Sequence, residues 1–172
     1  AVRTRIGIRV VRAHLLLVNL SRARSPGCNV IKYAAEHGDD CPPLIINLAG
    51  RFIPGRASLE RRFGEGILER LHEDGPIDRN ETWGTWTMTY EDVRERIDLP
   101  MDSYAEAIAA NQRLTLLCIH GREDAVIDYS ESERCARLSG SRVVIIEGGD
   151  HNFSSPVSAL AMIDEVVSFI TG

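Results

Sequence analysis

The sequence predicts an α/β domain with a mostly parallel sheet and helices on both of its faces. Three observations lead there. Four short runs are apolar almost without interruption, as in strands covered on both sides. Stretches with helical spacing lie between them. Glycine and polar residues follow the last two runs at once, where sheets of this kind gather their functional groups. The 172 residues suit one domain with a sizeable core. With 44% hydrophobic and 26% charged residues, the chain is not a disordered tail. No apolar stretch is long enough to span a bilayer.

Residues 14–19 (His-Leu-Leu-Leu-Val-Asn) read as the first buried strand. Residues 21–27 form a polar turn that contains Pro26 and Gly27. Residues 29–36 read as a helix, with Val30, Ile31 and Ala34 spaced for one face. Residues 43–49 (Pro-Leu-Ile-Ile-Asn-Leu-Ala) form the second strand, which Gly50 ends. From residue 51 to 98 the texture is polar and broken. Residues 58–72 look helical, weakened by Gly64 and Gly66, residues 83–90 carry strand-forming side chains, and residues 90–97 return to helix. This block reads as an insertion over the main domain. Residues 102–110 form a further helix, with Asp102 or Ser103 as its cap.

The last third alternates cleanly. Residues 114–119 are a strand and residues 130–138 a helix, with Ser130 and Glu133 in capping-box spacing. Residues 143–147 are a strand and residues 156–170 a long amphipathic helix.

Charge argues against nucleic acid as a partner. Lys and Arg number 20 against 25 Asp and Glu, a formal net charge of -5. The basic start, from Arg3 to Lys32, reads as a solvated segment, since it lacks interleaved aromatics. Cys28, Cys41, Cys118 and Cys135 lack metal-type spacing and read as reduced thiols, which suits a cytoplasmic protein.

Two segments place chemistry beyond strand ends. The strand at 114–119 runs into His120-Gly-Arg-Glu-Asp124, and the strand at 143–147 into Gly148-Gly-Asp-His151. Glycines 121, 148 and 149 permit tight turns there, which brings Asp124 and His151 to one rim. A neutral imidazole can take a proton from a hydroxyl nucleophile, while a buried carboxylate holds its tautomer and stabilises the imidazolium. Zinc has no compact ligand motif here, although His120, Asp124 and His151 could meet.

The nucleophile has two candidates. Ser25 lies in Ala23-Arg24-Ser25-Pro26-Gly27, a relative of the Gly-x-Ser-x-Gly turn. Pro26 has no N–H where half of an oxyanion hole is normally supplied, a loss of roughly 2.7–4 kcal/mol in a comparable case. Ser21 follows the strand more directly and precedes Arg22, which keeps its N–H, but its helix would soon meet Pro26 and Gly27. Ser25 is the favoured reading.

These residues resemble the α/β-hydrolase superfamily, closest to its serine aminopeptidase-like and monoacylglycerol-lipase-like group. The likeness runs over residues 25–170. Ile119-His-Gly-Arg-Glu-Asp124 and Ile146-Glu-Gly-Gly-Asp-His151 are its specific elements; Ile46-Asn-Leu-Ala-Gly-Arg51 and the degenerate Ser25-Pro-Gly-Cys-Asn-Val30 accompany them. The resemblance implies a Ser25–Asp124–His151 triad, an acyl-enzyme, a small ester, thioester or amide substrate, and no cofactor or metal. It implies that residues 51–110 resemble a lid. It also implies a partial sheet, because that family has several strands before the nucleophile turn, whose loops carry the second oxyanion donor. Residues 1–172 then form a single incomplete domain, whose apolar sheet edge a partner chain would cover. The alternative is a catalytically inactive hydrolase-like fragment that serves as a binding or interaction module.

Overall fold

The computed structural model describes residues 15–18, 26–81 and 84–172. Among these, four parallel strands form the main sheet. They are β1 (Leu15–Val18), β2 (Leu44–Leu48), β5 (Thr115–Gly121) and β6 (Arg142–Ile146), in the order β1-β2-β5-β6. Helix α1 (Pro26–His37) and a 3-10 turn (Gly38–Asp40) connect β1 to β2. Helix α6 (Ser130–Ser139) connects β5 to β6, and α7 (Pro156–Thr171) closes the chain. The sheet pairs Ile46 with Leu117, and Ile119 with Val144. Every carboxyl end therefore lies on one rim, as the strand–helix alternation requires.

Both faces of the sheet are covered, so the strands are apolar on both sides. Ile45, Leu116 and Cys118 pack with Val30, Ile31 and Ala34 of α1 and Cys135 of α6. Ile46, Leu48, Leu117 and Ile119 face the other way, against Ala161, Met162, Val166 and Phe169 of α7. The alternation of successive side chains produces this division. Cys41, Cys118 and Cys135 are free and buried. Helix α7 starts as its sequence suggests. Pro156 occupies the first turn, and the Ser155 hydroxyl accepts the Ser158 N–H.

Between β2 and β5 lie α2 (Arg56–Phe63), α3 (Ile67–Glu73), a hairpin of β3 (Ile77–Glu81) and β4 (Gly84–Met88), α4 (Tyr90–Ile97) and α5 (Met101–Ala110). The helix expected over 58–72 is two helices. Gly64 (φ 97°) and Gly66 (φ 70°) adopt left-handed backbone between them, which ends α2 and starts α3 afresh. The strand expected over 83–90 is the second arm of the hairpin, and Trp83 lies outside the described residues. Leu59, Ile67, Leu71, Met88 and Val93 give this segment a small apolar cluster of its own. Helix α5 instead contributes Met101, Ala105 and Ile108 to the main core.

Two caps differ from expectation. Helix α5 begins after Pro100 without a side-chain cap, and Asp102 pairs with Arg134 of α6 instead. Helix α6 is entered from Asp128, whose carboxylate accepts the Ser130 N–H and whose carbonyl accepts the Glu131 N–H. Ser130 is thereby the first helical residue, and the capping box does not form.

Candidate active site

The loops after β5 and β6 are fused by backbone contact. Arg122 N–H donates to Ile146 O at 2.9 Å, and Glu123 N–H to Gly149 O at 2.9 Å. This close approach requires glycine. A Cβ on Gly121 would collide with Gly149 O, and one on Gly149 would lie 3.0 Å from Gly121 Cα. Beyond Gly149, the Asp150 carboxylate accepts the N–H groups of Asn152 and Ser154. Phe153 takes a positive φ of 51° there, uncommon for a bulky residue, while its ring is buried against the α7 side of the core. His151 is thus carried on a turn anchored at both ends.

Asp124 and His151 meet as the sequence suggests. His151 Nδ1 lies 2.8 Å from Asp124 Oδ2. An ionised carboxylate only accepts, so Nδ1 carries the proton and Nε2 is the ring nitrogen left to act as base. The His151 side chain is 23% exposed, whereas that of Asp124 is fully buried. The imidazole is thus partly open to solvent, while the carboxylate is sealed from it.

The buried carboxylate is fully occupied. Oδ1 accepts the Val126 N–H at 2.8 Å and the Ile127 N–H at 2.9 Å. Oδ2 accepts from His151 and, at 2.9 Å, from His120 Nε2. Burial alone would raise the Asp124 carboxyl. The bonds from His120 and His151, with those of the Ile127 and Val126 amides, outweigh burial and hold it well below the usual carboxylate range.

Sequence reasoning weighed His120 only as a metal ligand and gave Ser132, Arg51 and Glu131 no part in the site. His120, fully buried, also faces Ile127 O at 3.0 Å and Ser132 Oγ at 2.7 Å. Its spacing four residues before Asp124 was visible, but only the turn after β5 folds it back onto the acid. Arg51 bonds Ser58 on α2, Val126 O on the acid loop and Glu131 on α6. Glu131 Oε2 in turn accepts the N–H groups of Phe52 and Ile53, at 2.8 and 2.7 Å. This buried pair ties the segment after β2 to the loop that holds Asp124. His120, Asp124 and His151 do come together, through hydrogen bonds centred on one oxygen. Among the described residues, no group of three or more His, Cys, Asp or Glu is arranged to hold a metal ion.

Ser25 and Ser21 lie outside the described residues. Helix α1 begins at Pro26, the residue directly after Ser25. Proline suits that first helical position, since its ring pre-sets φ and the missing N–H breaks no helical bond.

The fold has counterparts among solved structures. The chain is similar to Est1E from Butyrivibrio proteoclasticus, with 16% identity, a TM-score of 0.56, and coverage of 86% of this chain and 59% of that one. It is similar to the esterase domain of a Rhodothermus marinus protein (15% identity, TM-score 0.54, covering 83% of this chain and 55% of that one). It is also similar to the monoacylglycerol lipase of Paleococcus ferrophilus (14% identity, TM-score 0.54, covering 84% and 64%). No protein-family model and no curated protein sequence matches the chain. The described structure is therefore an α/β domain with a partial, mostly parallel sheet. Its fold is shared with these solved structures, and the chain spans less than two thirds of the length of each of them.

Two outcomes follow from the site's geometry. Gly121→Ala forces the two loops apart and is expected to cost about 3 kcal/mol or more in urea denaturation, with His151 detached from Asp124. Asp124 also makes stability depend on acid. A carboxyl held below its ordinary value stabilises the fold above that value, 3.8, and progressively less as pH falls beneath it. Asp124→Asn removes this contribution, so the stability gap between the two proteins should narrow as pH falls below 3.8. Paired urea titrations across the acid range measure that gap.

Proposed function

We propose that this chain is an acyl hydrolase of the serine-hydrolase type, with Ser25 as nucleophile, His151 as general base and Asp124 as the acid that orients it. Its substrates are small carboxylic esters, with thioesters or amides as chemical relatives. One observation carries the reading: at the carboxyl rim of a parallel sheet, the His151 Nδ1 proton is held by a buried carboxylate. The order of the chain, serine before acid before histidine, agrees with it. The fold shared with an esterase and a monoacylglycerol lipase supports the same class.

In this reading His151 Nε2 removes the Ser25 hydroxyl proton as Ser25 attacks the acyl carbonyl. The imidazolium then returns that proton to the departing alcohol, which leaves an acyl-enzyme. A water deprotonated by His151 then attacks the acyl-enzyme, the imidazolium returns the proton to the Ser25 oxygen as its bond to the acyl carbon breaks, and the carboxylic acid departs. Asp124 stays ionised throughout and stabilises the imidazolium. The segment from residue 51 to 110 serves as the lid that shapes the acyl pocket, with Arg51 as its tie to the acid loop.

Pro26 favours a second reading, a hydrolase-like module that binds without turnover. The residue after Ser25 offers no N–H to a developing oxyanion.

A fluorophosphonate probe separates the two. The expected result is covalent labelling of the folded chain that Ser25→Ala and His151→Ala abolish and Ser21→Ala leaves intact. Absence of labelling on well-folded protein overturns the hydrolase reading in favour of the binding module. Retained labelling in Ser25→Ala with loss in Ser21→Ala moves the nucleophile to Ser21. Pro26→Ala restores a backbone donor at a position where alanine is helix-compatible. It should raise kcat on a short-chain nitrophenyl ester by about 100-fold.

A further inference from the structure

We infer that His120 is a positioning residue for Asp124, held as the neutral Nε2–H tautomer by the Ser132 hydroxyl. The inference rests on the reading of Asp124 and His151 as the acid–base pair. Three contacts make the case. His120 Nε2 faces only acceptors, Asp124 Oδ2 at 2.9 Å and Ile127 O at 3.0 Å, so this nitrogen carries a hydrogen. His120 Nδ1 faces the Ser132 hydroxyl at 2.7 Å. Ser132 is fully buried and makes no other hydrogen bond through its hydroxyl among the described residues, so donation to Nδ1 satisfies both groups.

The chemical consequence concerns where positive charge sits. Asp124 Oδ2 receives both imidazoles. If His120 were an imidazolium, it would neutralise Asp124 permanently and oppose a second cation at His151. A neutral His120 directs Asp124 Oδ2 toward His151 while leaving the carboxylate charge free for the imidazolium formed in catalysis. His120 thus does for the acid what the acid does for the base: it fixes the rotamer and supplies no proton. The charged groups around this assembly are Asp124 itself, His151, Asp128 just before α6 and Asp150 on the loop after β6.

The experiment compares His120→Gln, His120→Leu and Ser132→Ala in the full chain. Gln keeps an N–H donor near the Nε2 position; Leu fills similar volume without one. The expected result is that His120→Leu lowers kcat about 100-fold on a short-chain ester with KM unchanged, as a misdirected catalytic group does. His120→Gln should recover most of that loss even where its melting temperature falls as far as that of His120→Leu. Equal kcat in the Gln and Leu variants overturns the inference and leaves His120 as a packing residue.

A nuclear magnetic resonance arm works without turnover. Long-range proton–nitrogen correlations should show wild-type His120 protonated at Nε2 alone near neutral pH. The strongly deshielded Nδ1 proton of His151 should persist in His120→Gln and vanish in His120→Leu. In Ser132→Ala, His120 should sample both tautomers. A doubly protonated His120 in the wild type, or an unchanged His151 signal in His120→Leu, overturns the inference. If no enzyme form labels or turns over but these signals behave as expected, the positioning role stands and the hydrolase reading fails.

Discussion

Everything at the rim depends on how one buried carboxylate is satisfied. Asp124 has lost contact with water, and an unpaired charge in that position would be strongly destabilising. Four donors replace the water: two imidazoles on Oδ2 and two backbone amides on Oδ1. The four donors come from three structural commitments, the two amides sharing one. The amides fix the path of the chain through residues 124–127. His120 requires the end of β5 to be buried beneath α6, and His151 requires the loop after β6 to lie across the loop after β5. The site and the fold are therefore one arrangement; the carboxylate cannot be satisfied unless all three are in place.

The sheet makes that convergence possible. Parallel pairing of β5 with β6 sets Gly121 opposite Ile146, so both strands end at the same height. Two chains leaving a sheet side by side would normally be separated by their side chains. Glycine at 121 and 149 removes them and lets the backbones touch, which converts two loops into one rigid turn pair. Phe153 completes the clamp, since burial of its ring offsets the strain of its left-handed backbone. The joined loops hold the His151 imidazole in register with Asp124.

Legibility in the sequence followed the range of the interactions. The strand runs around Ile45, Leu117 and Val144 were readable because burial on both faces writes a continuous apolar signal. Asp124 and His151 were readable because each follows its strand through glycine within a few residues. The break at Gly64 and Gly66 was visible only as weakness, since a left-handed backbone is chosen in competition with helix rather than dictated. The hairpin arm at 77–81 (Ile-Asp-Arg-Asn-Glu) was illegible: four of its residues are polar, and its stability comes from pairing with β4. The partners of His120 and Arg51 lie on other elements, Ser132 on α6 for one and Ser58 and Glu131 for the other. No local pattern announces a contact of that kind.

Arg51 extends the same logic away from the rim. A guanidinium buried against Glu131 is retained at the cost of desolvating two charges, and a packed apolar pair would be at least as stable. What an apolar pair could not do is direct several groups at once. Arg51 reaches α2 and the carbonyl of Val126, while Glu131 holds the N–H groups of Phe52 and Ile53. Val126 is also a donor to Asp124. The chain of contacts therefore runs from the inserted segment through Arg51 and Val126 to the acid without a break. A displacement of α2 would be felt at Asp124 through the Val126–Ile127 peptide, whose carbonyl accepts from Arg51 and whose N–H donates to Asp124. The polar pair is best understood as a geometric joint, where directional hydrogen bonds fix the insertion to the site at an angle that hydrophobic contact alone would leave free.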